Sequence, residues 1–220
     1  MRKIILDFDG VLFDSAIEAY HVCELVAKSW EKLKLKSLTI EEFMRFRPKI
    51  KDSGDFLRYY ADSEVQTDVL INEYKEKFYL ARQELKHETD YSTKYFPIYE
   101  FTKNLIPLIM EHPDFFYILS TRDINSIQTV IQRYVPFKKE NIFAQDKYKI
   151  FGSKLKILRE MEIDPINCIF IDDLHEHLEE FQDSGAKILQ ANWGYGGTET
   201  SLSVSQDVAF SIISNEINGL

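Results

Sequence analysis

The chain has 220 residues, of which 45% are hydrophobic and 29% are charged, and its formal net charge is −9. This composition is typical of an ordinary globular protein with room for one full core and a smaller second unit. The acidic balance disfavours nucleic acid and anionic membrane as main partners, because both attract basic surfaces.

The cysteines and the start of the chain bear on the cellular compartment. Cys23 and Cys168 have neither the number nor the spacing of a disulfide framework or a zinc site. The opening MRKIILDF is too short and too soon charged for a signal peptide. No apolar stretch approaches the ~20 residues that span a bilayer. We therefore expect a reduced, cytoplasmic protein, whose oligomeric state the sequence does not predict.

The first predicted element is a short buried strand over residues 3–6, and a block of helical patterns follows it. The predicted helices of this block cover 15–34, 39–46 with Thr39 as N-cap, 55–62, and 63–85 with Ser63 as a possible N-cap. No segment between residue 15 and about residue 95 has the pattern of a strand.

After residue 96, helical patterns alternate with short apolar strands. Helices are predicted over 98–112, 123–134, 152–161 and 175–185, and strands over 115–120, 141–144, 167–172 and 187–192. This alternation is typical of a parallel sheet covered by helices. We predict an α/β, Rossmann-like core formed by 1–14 and 96–220, with a helical domain, 15–95, inserted after the first strand.

Polar side chains stand where three of these strands end. Asp7 and Asp9 follow the first strand, Ser120 and Thr121 follow the second, and Asp172–Asp173 closes the strand over 167–172. Ligands of open α/β sheets bind outside the carboxyl ends of the strands. Clustered carboxylates repel one another without a cation, and Mg²⁺ prefers oxygen ligands together with substrate phosphate. The pattern predicts Mg²⁺ and a phosphorylated substrate.

The spacing of Asp7 and Asp9 has a chemical use. Side chains two apart in an extended segment point the same way, so both carboxylates can address one phosphorus atom. One can attack while the other protonates the leaving oxygen and later activates water. Gly10 suits the sharp exit of this loop. Taken alone, the pair is also compatible with a capped turn, and Asp14–Ser15 with a helix start.

The roles of Arg122 and of the basic stretch RFRPKIK are left open by the sequence. Arg122 either reaches the same anion or faces solvent. Arg45, Arg47, Lys49 and Lys51 alternate along RFRPKIK, which would put them on one face if the stretch were extended. The stretch is then either a solvated loop or a grip on a second anionic part of the substrate.

With these residues in view, the chain resembles the haloacid dehalogenase superfamily of phosphohydrolases over nearly its whole length. DFDGVLFDS is similar to the first motif, FFYILST to the second and CIFIDDL to the fourth, while FGSKLKIL supplies the third-motif lysine as Lys154. Lys147 and Lys149 are possible substitutes. The inserted block is similar to the family's helical cap of the first type.

The resemblance implies a role for each matched residue. Asp7 would form an aspartyl-phosphate, and Asp9 would be general acid and base. Ser120 would hydrogen-bond the phosphoryl group, and Lys154 would balance the charge between Asp7 and the phosphate. Further substrate-binding candidates are Thr121, Gly10, Arg45 and Arg47. Mg²⁺ would bind Asp7, the backbone carbonyl of Asp9, and Asp173, with Asp172 supporting. Dehalogenating members lack an acid at the position of Asp9, so its presence favours phosphoryl chemistry.

The expected activity is Mg²⁺-dependent hydrolysis of a small phosphorylated metabolite, that is, a phosphoric monoester hydrolase. Many family members carry a further acid where this chain has His177, which makes the ligand set less complete here. Two alternatives stay open. One is a phosphomutase of the β-phosphoglucomutase type, and the other is a non-catalytic binding protein on the same fold.

Overall fold

The computed structural model describes residues 2–50, 52–61, 67–196 and 200–219. The chain divides into two compact units, which we call the α/β unit (Met1–Asp14 with Pro97–Leu220) and the helical unit (Ser15–Phe96). The second boundary lies one residue beyond the expected one. None of the helices in the described ranges is both long enough and apolar enough to cross a bilayer.

The helical unit is built from helices within the described residues. They are α1 (Ala16–Ser29), α2 (Ile40–Phe46), α3 (Leu57–Tyr60), α4 (Asp68–Leu85) and α5 (Tyr91–Tyr95), with 3₁₀ turns at Arg47–Lys49 and Ser53–Phe56. Thr39 caps α2 as predicted, because its side chain accepts from the backbone N–H of Glu42 while the Glu42 carboxylate accepts from that of Thr39. Thr67 caps α4, and Ser63 lies outside the described residues.

The α/β unit contains a sheet of parallel strands. In the described residues these are β1 (Lys3–Leu6), β2 (Phe116–Leu119), β3 (Ile142–Phe143), β4 (Cys168–Asp172), β5 (Lys187–Ala191) and β6 (Ser203–Val204), in the order β3-β2-β1-β4-β5-β6. The predicted α/β fold with a parallel sheet is thereby confirmed. The central strands β1, β2 and β4 are mostly apolar and mostly buried, which is the pattern of a sheet covered on both faces.

The helices of the α/β unit alternate with these strands. They are α6 (Glu100–Glu111), α7 (Ile124–Ile131), α8 (Gln145–Phe151), α9 (Lys154–Glu160), α10 (His175–Glu179) and α11 (Gln206–Asn218). One side of the sheet buries a core in which Phe170 of β4 stacks on Phe181 at a centroid distance of 4.1 Å. This packing fixes the strand that ends in the acidic pair.

Several elements differ from the sequence prediction. Helix α1 ends at Ser29 and not near residue 34. The segment after it folds back along α1, so that Glu24 accepts hydrogen bonds from the Ser37 hydroxyl at 2.5 Å and the Leu38 N–H at 3.1 Å. The sequence analysis predicted neither α5, α8, β6 nor α11.

Candidate active site

The polar residues at the strand ends are brought to one edge of the sheet. Strand β1 lies between β2 and β4, and the order of strands reverses there, because the chain adds β2 and β3 on one side and then β4 to β6 on the other. Ligands of α/β sheets bind at such a reversal. Asp7 directly follows β1, and its N–H donates to the carbonyl of Ile171 in β4 at 2.9 Å. Asp7 therefore lies beside the carboxyl end of β4, where Asp172 stands.

Lys154 joins two of the carboxylates. Its side chain is fully buried, and Nζ lies 3.0 Å from Oδ1 of Asp7 and 2.6 Å from Oδ2 of Asp172. Of the three lysines that the sequence left open, the structure places Lys154 among the acids. Lys147 and Lys149 lie on α8, where the first is half-buried and the second exposed.

The charges of this cluster are unevenly compensated. Burial raises the pKa of Asp7 to about 6, although Lys154 beside it lowers it; the Asp172 carboxylate raises it further. Burial also works against the charged form of Asp172, but the positive charges of His177 and Lys154 outweigh it and hold the pKa of Asp172 well below its usual range. The negative charge of Asp7 is thus less well balanced than that of Asp172.

A third carboxylate completes the group. Asp7, Asp172 and Asp173 are all buried, and each presents an oxygen within 4.8 Å of the other two. Oδ2 of Asp173 accepts the backbone N–H of Tyr195 at 2.6 Å. Gly10 has φ +82°, and a Cβ there would lie 2.5 Å from Oδ2 of Asp173. Glycine is therefore required at this position both for the backbone conformation and for the close approach of Asp173.

His177 belongs to the cluster, although sequence reasoning gave it no role. Its Nδ1 lies 3.0 Å from Oδ2 and 3.2 Å from Oδ1 of Asp172. Burial lowers the pKa of His177, yet the neighbouring Asp172 carboxylate raises it above its ordinary value overall. Because a carboxylate only accepts, Nδ1 of His177 is the donor in this contact. The only sequence signal was the family position itself, where many relatives carry an acid.

Asp9 and the end of β2 form the other half of the site. Nε of Arg122 lies 2.9 Å from Oδ1 and 3.1 Å from Oδ2 of Asp9, and the arginine side chain is buried. Arg122 therefore does not face solvent, and it pairs with the predicted acid–base residue. The backbone N–H of Arg122 donates to the buried hydroxyl of Ser120 at 3.3 Å. Thr121, between these two residues, is half-buried.

The predicted helix start at Asp14–Ser15 is only partly right. Helix α1 does begin after Ser15, but the Ser15 side chain makes no capping hydrogen bond. The Asp14 carboxylate is instead engaged inside the α/β unit, where Oδ1 accepts from the hydroxyl of Tyr195 at 2.7 Å.

The basic stretch of the helical unit is helical and not extended over residues 45–49, so the condition for a shared face of its cations is not met. Arg45 lies on α2, and Arg47 and Lys49 lie on the 3₁₀ turn that follows it. Residues two apart on helical backbone point in different directions. Arg45 is exposed and Arg47 half-buried, while Lys51 lies outside the described residues.

The comparisons with known proteins place this geometry in a known fold. No protein-family profile and no curated protein sequence matches the chain. Among solved structures, the chain is similar to a predicted phosphoglycolate phosphatase from Haemophilus somnus, with a TM-score of 0.68, 11% identity, and 97% of this chain and 98% of that chain covered. It is also similar to a haloacid dehalogenase-like family hydrolase from Streptococcus pneumoniae. Here the TM-score is 0.66 and the identity 12%, and 97% of this chain and 98% of that chain are covered.

A third similar structure is a β-phosphoglucomutase from Clostridium difficile, with a TM-score of 0.63, 16% identity, and 100% of this chain and 98% of that chain covered. The chain thus has the fold of the haloacid dehalogenase-like hydrolases. The resemblance predicted from the motifs is confirmed at the level of the fold.

The donor set fits a hard divalent cation. Three carboxylates meet within 4.8 Å, which supplies oxygen ligands and negative charge of the kind that Mg²⁺ takes. The oxygens of Asp172 already accept from Lys154, His177 and the N–H of Leu174. Asp7 and Asp173 are therefore the ligands that the geometry favours, with Asp172 in support.

Proposed function

We propose that this protein is a Mg²⁺-dependent phosphatase that hydrolyses a small phosphorylated metabolite through an aspartyl-phosphate on Asp7. The observation that carries the proposal is the buried group of Asp7, Asp172 and Asp173 around Lys154, at the carboxyl edge of the sheet where its strand order reverses. Burial raises the pKa of Asp7 to about 6 even though Lys154 lies 3.0 Å away, and a buried carboxylate perturbed in this way is a candidate functional group.

The first chemical step belongs to Asp7. One of its oxygens attacks the phosphorus atom, so that an O–P bond forms while the ester bond from phosphorus to the substrate oxygen breaks. Lys154, held at 3.0 Å, donates to Oδ1 of Asp7 and keeps that oxygen in place. Ser120, buried at the end of β2, is proposed to donate its hydroxyl to the phosphoryl group.

Asp9 is proposed to move the protons. It gives a proton to the leaving substrate oxygen, and in the second step it takes one from the water that attacks the aspartyl-phosphate, which releases inorganic phosphate and restores the Asp7 carboxylate. Both carboxylate oxygens of Asp9 accept from Nε of Arg122. This contact suits the base role, and Asp9 has to leave it before donating a proton.

The proposed Mg²⁺ would be held by Asp7, Asp173 and the backbone carbonyl of Asp9, with Asp172 in support. When bound, it would screen the repulsion between the carboxylates and the substrate phosphate. The location in the cytoplasm stays a prediction from the sequence.

The mutase alternative shares all of these residues and differs in the fate of the aspartyl-phosphate. In a phosphatase, water consumes this intermediate at the rate of turnover, whereas in a mutase it survives until a second substrate hydroxyl attacks it. The non-catalytic alternative requires that Asp7, Asp9, Ser120, Asp172 and Asp173 were all retained without use, which we consider the weaker reading.

The test is the release of inorganic phosphate from p-nitrophenyl phosphate with Mg²⁺ and with EDTA. We expect turnover with Mg²⁺, loss of turnover in EDTA and recovery when Mg²⁺ is restored in excess. Full activity in metal-free buffer would contradict the site as assigned. Complete inactivity toward p-nitrophenyl phosphate and a panel of phosphorylated metabolites would favour the non-catalytic alternative.

A further inference from the structure

The glycine-rich segment after β5 lies directly against the proposed metal site. Nε1 of Trp193 donates to the carbonyl of Val11 at 3.1 Å, in the loop that follows β1. Two residues on, Tyr195 makes two contacts of its own. Its N–H donates to Oδ2 of Asp173 at 2.6 Å, and its hydroxyl donates to Oδ1 of Asp14 at 2.7 Å. One residue thus connects a proposed metal ligand to the far end of the first-motif loop.

The glycines on either side of Tyr195 make this approach possible. A Cβ at Gly194 would lie 2.4 Å from Cβ of Asp173 and 2.5 Å from the carbonyl oxygen of Gly10. A Cβ at Gly196 would lie 1.8 Å from the carbonyl oxygen of Asp173. Both separations are far below van der Waals contact, so the segment reaches Asp173 only because these positions lack side chains. The contact between Tyr195 and Asp173 therefore requires glycine on both sides of the tyrosine.

The hydrogen bond at Asp173 has a chemical consequence. A carboxylate that accepts a short backbone N–H bond is held at one rotation about its Cβ–Cγ bond. The position of that N–H depends on what holds Tyr195 in place, and the hydroxyl bond to Asp14 is one of these contacts, beside the bond from Trp193 to Val11. The orientation of Asp173 toward Asp7 is in this way coupled to a contact made by the other end of the tyrosine.

We infer that Tyr195 is a positioning residue for the proposed Mg²⁺ site, and that its hydroxyl bond to Asp14 sets the orientation of Asp173. The inference rests on the proposed function, since it concerns the same cation. Tyr195 is not among the proposed metal ligands or reacting groups, so it would act on the reaction through Asp173. Orienting partners of this kind typically change metal affinity by 10–100-fold.

The experiment measures Mg²⁺ binding by isothermal titration calorimetry, with Trp193 fluorescence in a Trp30→Phe background as a second readout. We expect Tyr195→Phe to raise the Mg²⁺ dissociation constant about tenfold. At saturating Mg²⁺ the turnover of p-nitrophenyl phosphate should return to near the wild-type kcat, because the ligands themselves are intact. Tyr148→Phe, a half-buried tyrosine on α8 that packs against the sheet core, is the matched control and should leave the dissociation constant unchanged.

The partner of the hydroxyl provides an independent arm. Asp14→Ala should raise the dissociation constant as much as Tyr195→Phe, and the double variant should show no further increase, because both changes remove one bond. Asp14→Asn keeps an acceptor oxygen and should rescue most of the affinity. If Tyr195→Phe does not fold, the comparison of Asp14→Ala with Asp14→Asn carries the test.

The outcomes separate the inference from the proposed function. An unchanged Mg²⁺ dissociation constant in a folded Tyr195→Phe variant would overturn the inference alone, as would a double variant whose effects add. A lower melting temperature with unchanged Mg²⁺ affinity would assign Tyr195 a structural role only. A wild-type protein that binds no Mg²⁺ would overturn the proposed function, and the inference with it.

Discussion

Buried carboxylates occur in both units of the molecule, but their surroundings differ. In the helical unit, Glu18 is fully buried and accepts from Nη2 of Arg82 at 2.9 Å and from the hydroxyl of Tyr91 at 2.9 Å. One charge there meets one opposite charge, and both carboxylate oxygens have donors. In the α/β unit, Asp7, Asp172 and Asp173 gather around Lys154 and His177, and the pKa of Asp7 is raised to about 6.

We interpret the buried charge of Glu18 as structural and the buried charge of Asp7 as functional. Breaking a buried ion pair destabilises a protein because it leaves an unpaired charge in a low-dielectric interior. A group of like charges in excess lowers stability by itself and is kept where chemistry needs it. We therefore expect substitutions of Glu18 to affect folding and substitutions of Asp7 to affect turnover. Each prediction below tests that separation or refines it.

The largest effect is expected at Asp7. Asp7→Asn should lower kcat by ~10³-fold or more, since a coupled catalytic set loses its nucleophile. The fold should be kept, as judged by circular dichroism and a cooperative melt. If the folded variant retains more than a few per cent of the wild-type kcat, covalent attack by Asp7 is wrong for this chain.

Asp9→Asn should lower the rate of phosphoryl transfer by ~10²–10⁴-fold for an alkyl phosphate, which is the typical cost of losing a positioned acid. The loss should be smaller for p-nitrophenyl phosphate, because nitrophenolate leaves without a proton. Pre-steady-state kinetics on both substrates make the comparison. Equal losses would remove Asp9 from the role of general acid.

Glu18→Gln should lower stability and leave activity unchanged, which is the reverse of the effect expected at Asp7. Loss of the charge that balances Arg82 should lower the free energy of unfolding by about 3 kcal/mol, while kcat at a temperature where the variant is folded stays unchanged. Urea unfolding followed by the fluorescence of Trp30, which is buried in the same unit, measures the cost.

The matched control for this change is Glu73→Gln. Glu73 pairs with Lys32 at 2.6 Å on the surface, where the two side chains are 31% and 57% exposed. Surface pairs contribute about 1 kcal/mol or less. If Glu18→Gln and Glu73→Gln cost the same, the burial of the Glu18–Arg82 pair does not have the structural weight assigned to it here.

The smallest effect on the reaction is expected from the basic residues of the helical unit. Arg45→Ala or Arg47→Ala should raise KM about tenfold, or about 1.4 kcal/mol, for the best substrate found in a screen of phosphorylated metabolites. The same changes should leave p-nitrophenyl phosphate nearly unaffected, because it has no second anionic group. An unchanged KM for both substrates would make these arginines solvated charges, and equal changes would remove them from specificity.

The parts of the fold that could be predicted from the sequence are those set by local pattern. The buried strands β1, β2 and β4 are short apolar runs, and the box at Thr39 and Glu42 is a local exchange of hydrogen bonds. The early end of α1 could not be predicted in this way, because Glu24 bonds to residues 13 and 14 positions further along the chain, beyond the reach of helical periodicity. Helix α8 lacks a side-chain N-cap and gave no start signal.

The candidate site shows the same division. The acids at the strand ends and Lys154 follow from strand-end positions and motif order, so the sequence placed them correctly at one edge. The hydrogen bonds and ion pairs around these acids join segments that are far apart in the sequence, and no local sequence pattern predicts them. Arg122 reaches Asp9 across 113 positions of sequence, and Tyr195 reaches Asp14 across 181. Such pairs become visible only when the chain is folded.

The most direct test of the central claim is a rapid-quench experiment on the Asp9→Asn variant with Mg²⁺ and p-nitrophenyl phosphate, followed by mass spectrometry of the peptides. Slowed hydrolysis should let the intermediate accumulate, and Asp7→Asn is the control in which it cannot form. We predict one phosphoryl group on the peptide that contains Asp7, at a level that falls as inorganic phosphate appears. Phosphate release without any phosphoryl group on that peptide, or with the group on another residue, would contradict the account.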